Sequence, residues 1–129
     1  MWLWEVSRNH LRAVQRDITF KHIRGHGLLN DDMSTYLNGA VNLFPLFDVI
    51  DFLQTIQLTP IFELSFTPSE LASSDASWGH YRANISPPKD LEAWGRFMHD
   101  LVSGLVARYG REEILGWRFE LYNEPNCGM

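Results

Sequence analysis

Near the end of the chain, Glu120-Leu-Tyr-Asn-Glu-Pro-Asn126 sets a carboxyl directly after an amide, at the close of an apolar, aromatic stretch from Trp117 to Leu121. Proline has no amide hydrogen and ends a β-ladder, so Pro125 leaves Asn123 and Glu124 side by side at an expected strand terminus. Such a pair suits sugar chemistry. Glu124 can protonate a leaving oxygen, and Asn123 can hydrogen-bond a neighbouring hydroxyl. Taken alone, the same three residues read equally well as a solvent-exposed turn built on Asn and Pro. Glycoside hydrolysis normally uses two carboxylates. Only three residues follow Asn126, so the second carboxylate is expected outside these 129 residues.

The length suffices for one ordinary domain with a core of its own. Hydrophobic residues make up 45% of the chain and aromatics 13%, which is a globular composition and excludes a disordered one. The five Trp, four Tyr and eight Phe build cores first and sugar-stacking platforms second. The formal net charge is −5 with no run of Lys and Arg, so no nucleic-acid partner is expected. No apolar run is long enough to span a bilayer, and no membrane partner is expected. The opening residues from Met1 to Arg8 lack a basic region and a continuous apolar stretch, so a cytoplasmic location is expected; a missing N-terminus would give the same picture. The single Cys127 cannot form an internal disulfide and says little about compartment.

Periodicity places the elements that must position these groups. Leu3, Val6, His10, Leu11 and Val14 recur at helical spacing and predict an amphipathic helix from about residue 2 to 15. A short strand is expected over Thr19–Ile23, closed by Arg24-Gly-His-Gly27. Phe44 to Gln57 reads as a second helix with Pro45 in its first turn and Leu46, Val49, Ile50, Leu53 and Ile56 as its stripe. Pro60–Leu64 reads as a second strand. A third helix spans about Lys89 to Tyr109, with Asp90 near its start, Leu91, Trp94, Phe97, Leu101 and Leu105 on its buried face, and Gly110 as its stop. Trp117–Leu121 is the third strand. The order αβαβαβ argues for an α/β fold with a parallel sheet and right-handed crossovers. Helix-to-strand links are short, while the strand-to-helix links, Arg24 to Leu43 and Ser65 to Pro88, are long. Loops of the second kind lie at the carboxyl ends of parallel strands, where barrels of this class build their sites.

Other residues each carry two readings. His26 stands between Gly25 and Gly27, which permit a sharp turn that presents the ring; it is either a sugar contact or a structural histidine. His22, inside the strand, is read as packing. Glu63 and Glu120 sit within apolar strands and need partners, for which Arg24 and Arg118 are candidates; Glu120 can alternatively act on Glu124 by like-charge repulsion. Asp31 and Asp32 lack the further ligands a metal needs and are read as a solvated loop or helix cap. Trp78, His80 and Tyr81 lie on the long loop after the second strand. They can wall a sugar site by stacking or simply pack the loop.

Several stretches together resemble family 39 glycoside hydrolases, the β-xylosidase and α-L-iduronidase family. They are Phe20-Lys-His-Ile-Arg-Gly-His-Gly27, Asn30-Asp-Asp32, Pro60-Ile-Phe-Glu-Leu64, Leu71-Ala-Ser73, Asn84-Ile-Ser-Pro-Pro-Lys-Asp90, Arg108-Tyr-Gly110 and Phe119-Glu-Leu-Tyr-Asn-Glu-Pro-Asn126. They keep the family's order and approximate spacing, and they look more like the bacterial xylosidase branch. The chain departs from the pattern at Tyr122, where the family usually has Trp, and in Ser65-Phe-Thr-Pro68, which resembles the family's Gly-Phe-Met-Pro.

The resemblance implies a partial (β/α)8 TIM barrel covering about strands two to four, with residues 1–129 as a fragment of a single catalytic barrel. It implies a retaining β-xylosidase-like hydrolase acting on terminal β-xylosidic bonds, with Glu124 as general acid/base and Asn123 at the hydroxyl beside the anomeric carbon. With it, His26 is read as a contact at the pocket floor; Trp78 stands as a candidate substrate contact beside its loop-packing reading. The nucleophile would be a second Glu on a later strand, matched by no residue here. The expected partner is a xyloside-type carbohydrate, and the chemistry calls for no metal or organic cofactor. The alternative is a non-catalytic half-barrel that at most binds sugar or self-associates through unpaired strand edges.

Overall fold

The structure is a computed structural model that describes residues 2–126; Cys127 lies outside the described residues. Three strands form the central sheet in the order β1, β4, β7: β1 is His22–Gly25, β4 is Thr59–Glu63 and β7 is Arg118–Glu120. Both pairings are parallel, with Gly25 beside Phe62 and Glu63 beside Glu120. Helix α1 (Glu5–Ile18) precedes β1, α2 (Phe44–Thr55) links β1 to β4, and α3 (Leu91–Tyr109) with the short α4 (Arg111–Leu115) links β4 to β7. The expected αβαβαβ order and parallel sheet are both present.

Alternation along each strand separates two chemistries. Ile23, Phe62 and Phe119 turn toward one face, where the Phe62 and Phe119 ring centroids are 5.9 Å apart. Arg24, Glu63, Arg118 and Glu120 share the other. The apolar core fills the first face, with Leu46, Val49, Ile50 and Leu53 from α2, Phe97, Leu101 and Leu105 from α3, and Phe62 and Trp117 beneath them. A sheet with one polar face is unusual for parallel strands, which are normally apolar on both. Here that face carries the charged side chains of all three strands.

Element ends show where local chemistry overrides the apolar pattern. Residues Thr19 to Lys21 are not strand. Helix α1 continues to Ile18, and Thr19 adopts a left-handed φ of 63° while its amide donates to the Gln15 carbonyl at 3.0 Å. That cap delays β1 to His22. Of the expected stripe of α1 only Leu11 packs on the core: Val6 is 64% exposed, and no residue of the helix is fully buried. The helix docks through Leu11, through the Arg8–Asp48 ion pair at 2.5 Å, and through the Arg8 and Arg12 guanidiniums over the Phe52 ring at 5.1 and 5.0 Å. In α3 the buried stripe begins after Leu91, which is 77% exposed. The link from Arg111 to Gly116 contains helix α4, where only a connection was expected.

The two long strand-to-helix loops are folded, and they are fastened together. The loop after β1 carries a hairpin of β2 (Tyr36–Leu37) and β3 (Ala40–Val41). Its turn, Asn38-Gly39, has positive φ at both positions, the hairpin signature of that dipeptide. The loop after β4 carries β5 (Ser77–Trp78) and β6 (Ala83–Asn84). The Glu70 carboxylate accepts from the amides of Asn38 and Gly39 at 2.8 and 2.9 Å. Asp31 accepts from the Ser69 amide at 2.9 Å and from its hydroxyl. Asp31 is thus a cross-tie between loops, which neither the solvated-loop nor the cap reading anticipated. Asp32 accepts from the Asn30 amide nitrogen at 2.9 Å.

Across the helix layer, Asp51 of α2 accepts from Tyr109 at 2.8 Å and pairs with Arg108, whose bond holds the Asp51 carboxyl below the usual range. Among the described residues no helix is long and apolar enough to cross a membrane.

Asp90, expected near the start of α3 for its charge, is the N-cap of that helix, with Oδ1 accepting from the Glu92 and Ala93 amides at 2.8 and 3.3 Å. Asp90→Ala should therefore lower stability by about 1 kcal/mol. Urea denaturation should show the midpoint fall with the slope unchanged. An unmoved midpoint would contradict the cap.

Candidate active site

Three strand ends converge on one cleft of about 460 Å³. His26 follows β1, Trp78 and Tyr81 come from the β5–β6 hairpin after β4, and Asn123 and Glu124 follow β7. The four residues singled out in the sequence, Glu124, Asn123, His26 and Trp78, all line it. Phe66, Tyr81 and Tyr122 supply aromatic wall. Trp78 is 51% exposed at the lip, a position open to stacking. His80, grouped with Trp78 and Tyr81 by sequence, borders a neighbouring cleft of about 260 Å³ with Trp2 and Trp4.

The backbone around His26 is fixed from both sides. A Cβ on Gly25 would sit 2.4 Å from Cδ1 of Leu28, so any side chain there would have to displace that buried leucine. Gly27 takes φ 71°, a conformation that costs glycine little. The indole of Trp2 donates to the His26 carbonyl at 2.8 Å. His26 Nδ1 lies 2.9 Å from Glu63 Oε2, and its Nε2 lies 3.4 Å from the Tyr81 hydroxyl. The Phe66 ring meets the imidazole edge-on, with centroids 5.3 Å apart.

Glu124 departs from an ordinary backbone. Its φ is 45°, a left-handed value uncommon outside glycine and asparagine. Strain of this kind gathers at functional sites. Asn123, half-buried beside it, accepts at Oδ1 from Arg24 Nη2 at 3.0 Å.

Arg24 joins these residues on the polar face. Its Nε and Nη2 donate to the two oxygens of Glu120 at 2.7 and 2.5 Å, and Nη2 also lies 2.8 Å from Glu63 Oε2. Glu63 is fully buried and takes a further bond from the Ser65 hydroxyl. Of the two candidate partners for the strand carboxylates, Arg24 serves both, and Arg118 points to solvent. Sequence patterning flagged Glu63 and Glu120 as needing a cation. It did not indicate that one guanidinium would reach both carboxylates and the Asn123 amide. Nor did it place Tyr81 and Phe66 against His26, because those contacts depend on how the long loop folds back.

The electrostatics follow from these bonds. The bond from Arg24, opposed by some burial, holds the Glu120 carboxyl below the usual range. The same bond raises Arg24, and the charges of Glu63, Glu120 and Glu124 add to it. Burial pushes the Tyr122 phenol up. A carboxyl lowered on folding stabilises the fold above its ordinary value of about 4.3 and loses that contribution as pH falls through the folded value. Glu120→Gln should therefore lower Tm near neutral pH and flatten its fall between about pH 5 and pH 3. A thermal melt series checks this, and an unchanged acid limb would refute it.

A carboxyl, an amide and an imidazole facing aromatic rings can stack a sugar ring and bond its hydroxyls. Comparison with known proteins agrees with that chemistry. The model of the glycosyl hydrolases family 39 matches residues 4–128. A beta-xylosidase of Caldicellulosiruptor saccharolyticus is 41% identical over 129 residues, covering 96% of this chain and 26% of that protein. A beta-xylosidase of Geobacillus stearothermophilus is 38% identical over 126 residues, covering 92% and 25%. Among solved structures, a GH39 beta-xylosidase from Caulobacter crescentus superimposes with TM-score 0.90 at 31% identity, covering 96% of this chain and 29% of that one. The chain thus spans about a quarter of the length of the curated relatives it matches. Its three parallel strands are part of a (β/α)8 barrel, and the chain belongs to the glycosyl hydrolases family 39.

Proposed function

We propose that this chain is the acid/base-bearing part of a retaining, β-xylosidase-like catalytic barrel acting on terminal β-xylosidic bonds. The observation that carries the reading is the meeting of Glu124, Asn123, His26 and Trp78 in one cleft at the carboxyl ends of three parallel strands. Active sites of (β/α)8 barrels occupy that face. In this reading Glu124 protonates the leaving oxygen, then takes a proton from the water that attacks the glycosyl-enzyme. Asn123 bonds the hydroxyl beside the anomeric carbon, His26 bonds a further hydroxyl, and Trp78 stacks on the ring. A second Glu, on a strand outside these 129 residues, supplies the nucleophile. The residues here form one portion of a single barrel domain of roughly 250 residues.

In the complete barrel, Glu124→Ala should slow substrates with poor leaving groups by roughly 10²- to 10⁴-fold. Substrates with activated leaving groups should suffer much less in the first step, since those groups depart without a proton. Azide should restore rate by attacking the glycosyl-enzyme directly, and the product should be a glycosyl azide. Equal slowing across leaving groups with no rescue would remove Glu124 from this role.

A second reading, association through open sheet edges, draws on a separate observation. Strands β1 and β7 each pair only with β4 among the described residues, and Leu121 beyond β7 is 79% exposed. Such edges template pairing with another chain. The 129-residue chain should accordingly sediment as an oligomer. A sharp monomer with a cooperative melt and no uptake of apolar dye would exclude this.

A further inference from the structure

The geometry points to Glu63 as the positioning residue that fixes the His26 tautomer, so that His26 meets the sugar as a hydrogen-bond acceptor. The inference rests on the reading of His26 as a sugar contact, and it concerns what kind of contact His26 makes. Glu63 Oε2 lies 2.8 Å from Arg24 Nη2 and 2.9 Å from His26 Nδ1. An arginine nitrogen can only donate. The two hydrogens of Nη2 go to Glu120 Oε1 and Asn123 Oδ1, so its contact with Glu63 is an ion pair, and the guanidinium charge against Oε2 makes that oxygen an acceptor. The other oxygen, Oε1, faces the Ser65 hydroxyl. An accepting oxygen at 2.9 Å requires the hydrogen on Nδ1. The opposing contact is Arg24 Nη1, a donor 3.5 Å from the same nitrogen. It is the longer of the two, and it cannot outweigh a fully buried carboxylate oxygen.

With the hydrogen on Nδ1, neutral His26 turns the lone pair of Nε2 toward the cleft. The nearest group there is the Tyr81 hydroxyl at 3.4 Å, a long bond that an incoming hydroxyl can replace. A lone pair recognises a donor, so this position accepts a sugar hydroxyl and disfavours a group with only acceptors, such as fluorine or a methyl ether. Glu63 does not itself line the cleft. It acts through the ring it holds, as the outer partners of metal-bound histidines act through theirs.

The test uses the 129-residue chain labelled with ¹⁵N on histidine, examined by long-range proton–nitrogen correlation at about pH 8, above the ordinary imidazole range. The wild-type His26 ring should show hydrogen on Nδ1 and a bare Nε2. Glu63→Gln should keep that pattern, because its amide oxygen, facing the Arg24 guanidinium, still accepts from His26. Glu63→Met fills the space but accepts nothing. Arg24 Nη1 then becomes the nearest partner of Nδ1, and the hydrogen should move to Nε2. Methyl β-xyloside should shift the Nε2 resonance of the wild type, and its affinity should fall about tenfold in Glu63→Met while staying within about twofold in Glu63→Gln. A wild-type ring with hydrogen on Nε2, or a Glu63→Met ring that keeps it on Nδ1, overturns the inference. Should Glu63→Met not fold, the wild-type and Glu63→Gln spectra decide alone, since both must show Nδ1–H. If the tautomer patterns hold but the xyloside leaves Nε2 unmoved, the sugar reading of His26 fails and the positioning by Glu63 stands.

Discussion

One guanidinium makes this arrangement tenable. The parallel register sets Glu63 beside Glu120 on the same face of the sheet, and like charges directly opposed on neighbouring strands repel. Glu63 has lost all contact with water, and a buried carboxylate without a partner is strongly destabilising. Arg24, one strand away, answers both carboxylates and still reaches Asn123. The fork geometry of arginine is what permits this, and a lysine presenting a single ammonium could not span the same set. The strand order β1, β4, β7 and the side-chain alternation are thus tied to the charge balance of the polar face.

The same interaction connects framework to site. Arg24 pairs with Glu63 and bonds Asn123, and Glu63 in turn holds His26. The groups that face the cleft are therefore oriented by groups that do not. Residues on strands position residues on loops, the arrangement expected where chemistry is carried by loops on a rigid scaffold. Glu124 follows Asn123 directly, so its unusual backbone angle is set against an anchored neighbour.

Much of this was legible in the chain, and the limits have physical causes. Asp90, Pro45 and the stripe of Phe97, Leu101 and Leu105 mark their helices because capping and helical spacing are local signals. Pro60–Leu64 and Trp117–Leu121 read as strands because short apolar runs between helices have few alternatives; the first is found shifted back by one residue, at Thr59–Glu63, and the second is one residue shorter at each end. Thr19 was misread because a β-branched residue favours strand, while here its amide closes the preceding helix. Asn38-Gly39 carried a hairpin signal that went unread inside a loop treated as irregular. Helix α1 docks by Arg8 and Arg12 over Phe52 as well as by Leu11, and apolar spacing signals only the last of these. At the site, the residue types at Asn123, Glu124, His26 and Trp78 suggested the chemistry. What joined them was tertiary: the contact of Tyr81 with His26 spans 55 residues of sequence, and that of Arg24 with Glu120 spans 96. Only the need of two strand carboxylates for a cation hinted at that junction.

The ties from Glu70 to the Asn38-Gly39 turn and from Asp31 to Ser69 bear on how this scaffold can diversify. Loops at the carboxyl ends of barrel strands are usually treated as separately exchangeable modules. Here the first two are clasped at two points and behave as one cassette, with His26 rooted in one half and Trp78 and Tyr81 in the other. Replacing either loop alone discards its half of the clasp and shifts the wall opposite the imidazole. Recombination that respects this structure would move residues 26 to 90 as a block and leave the loop after β7 free to vary by itself.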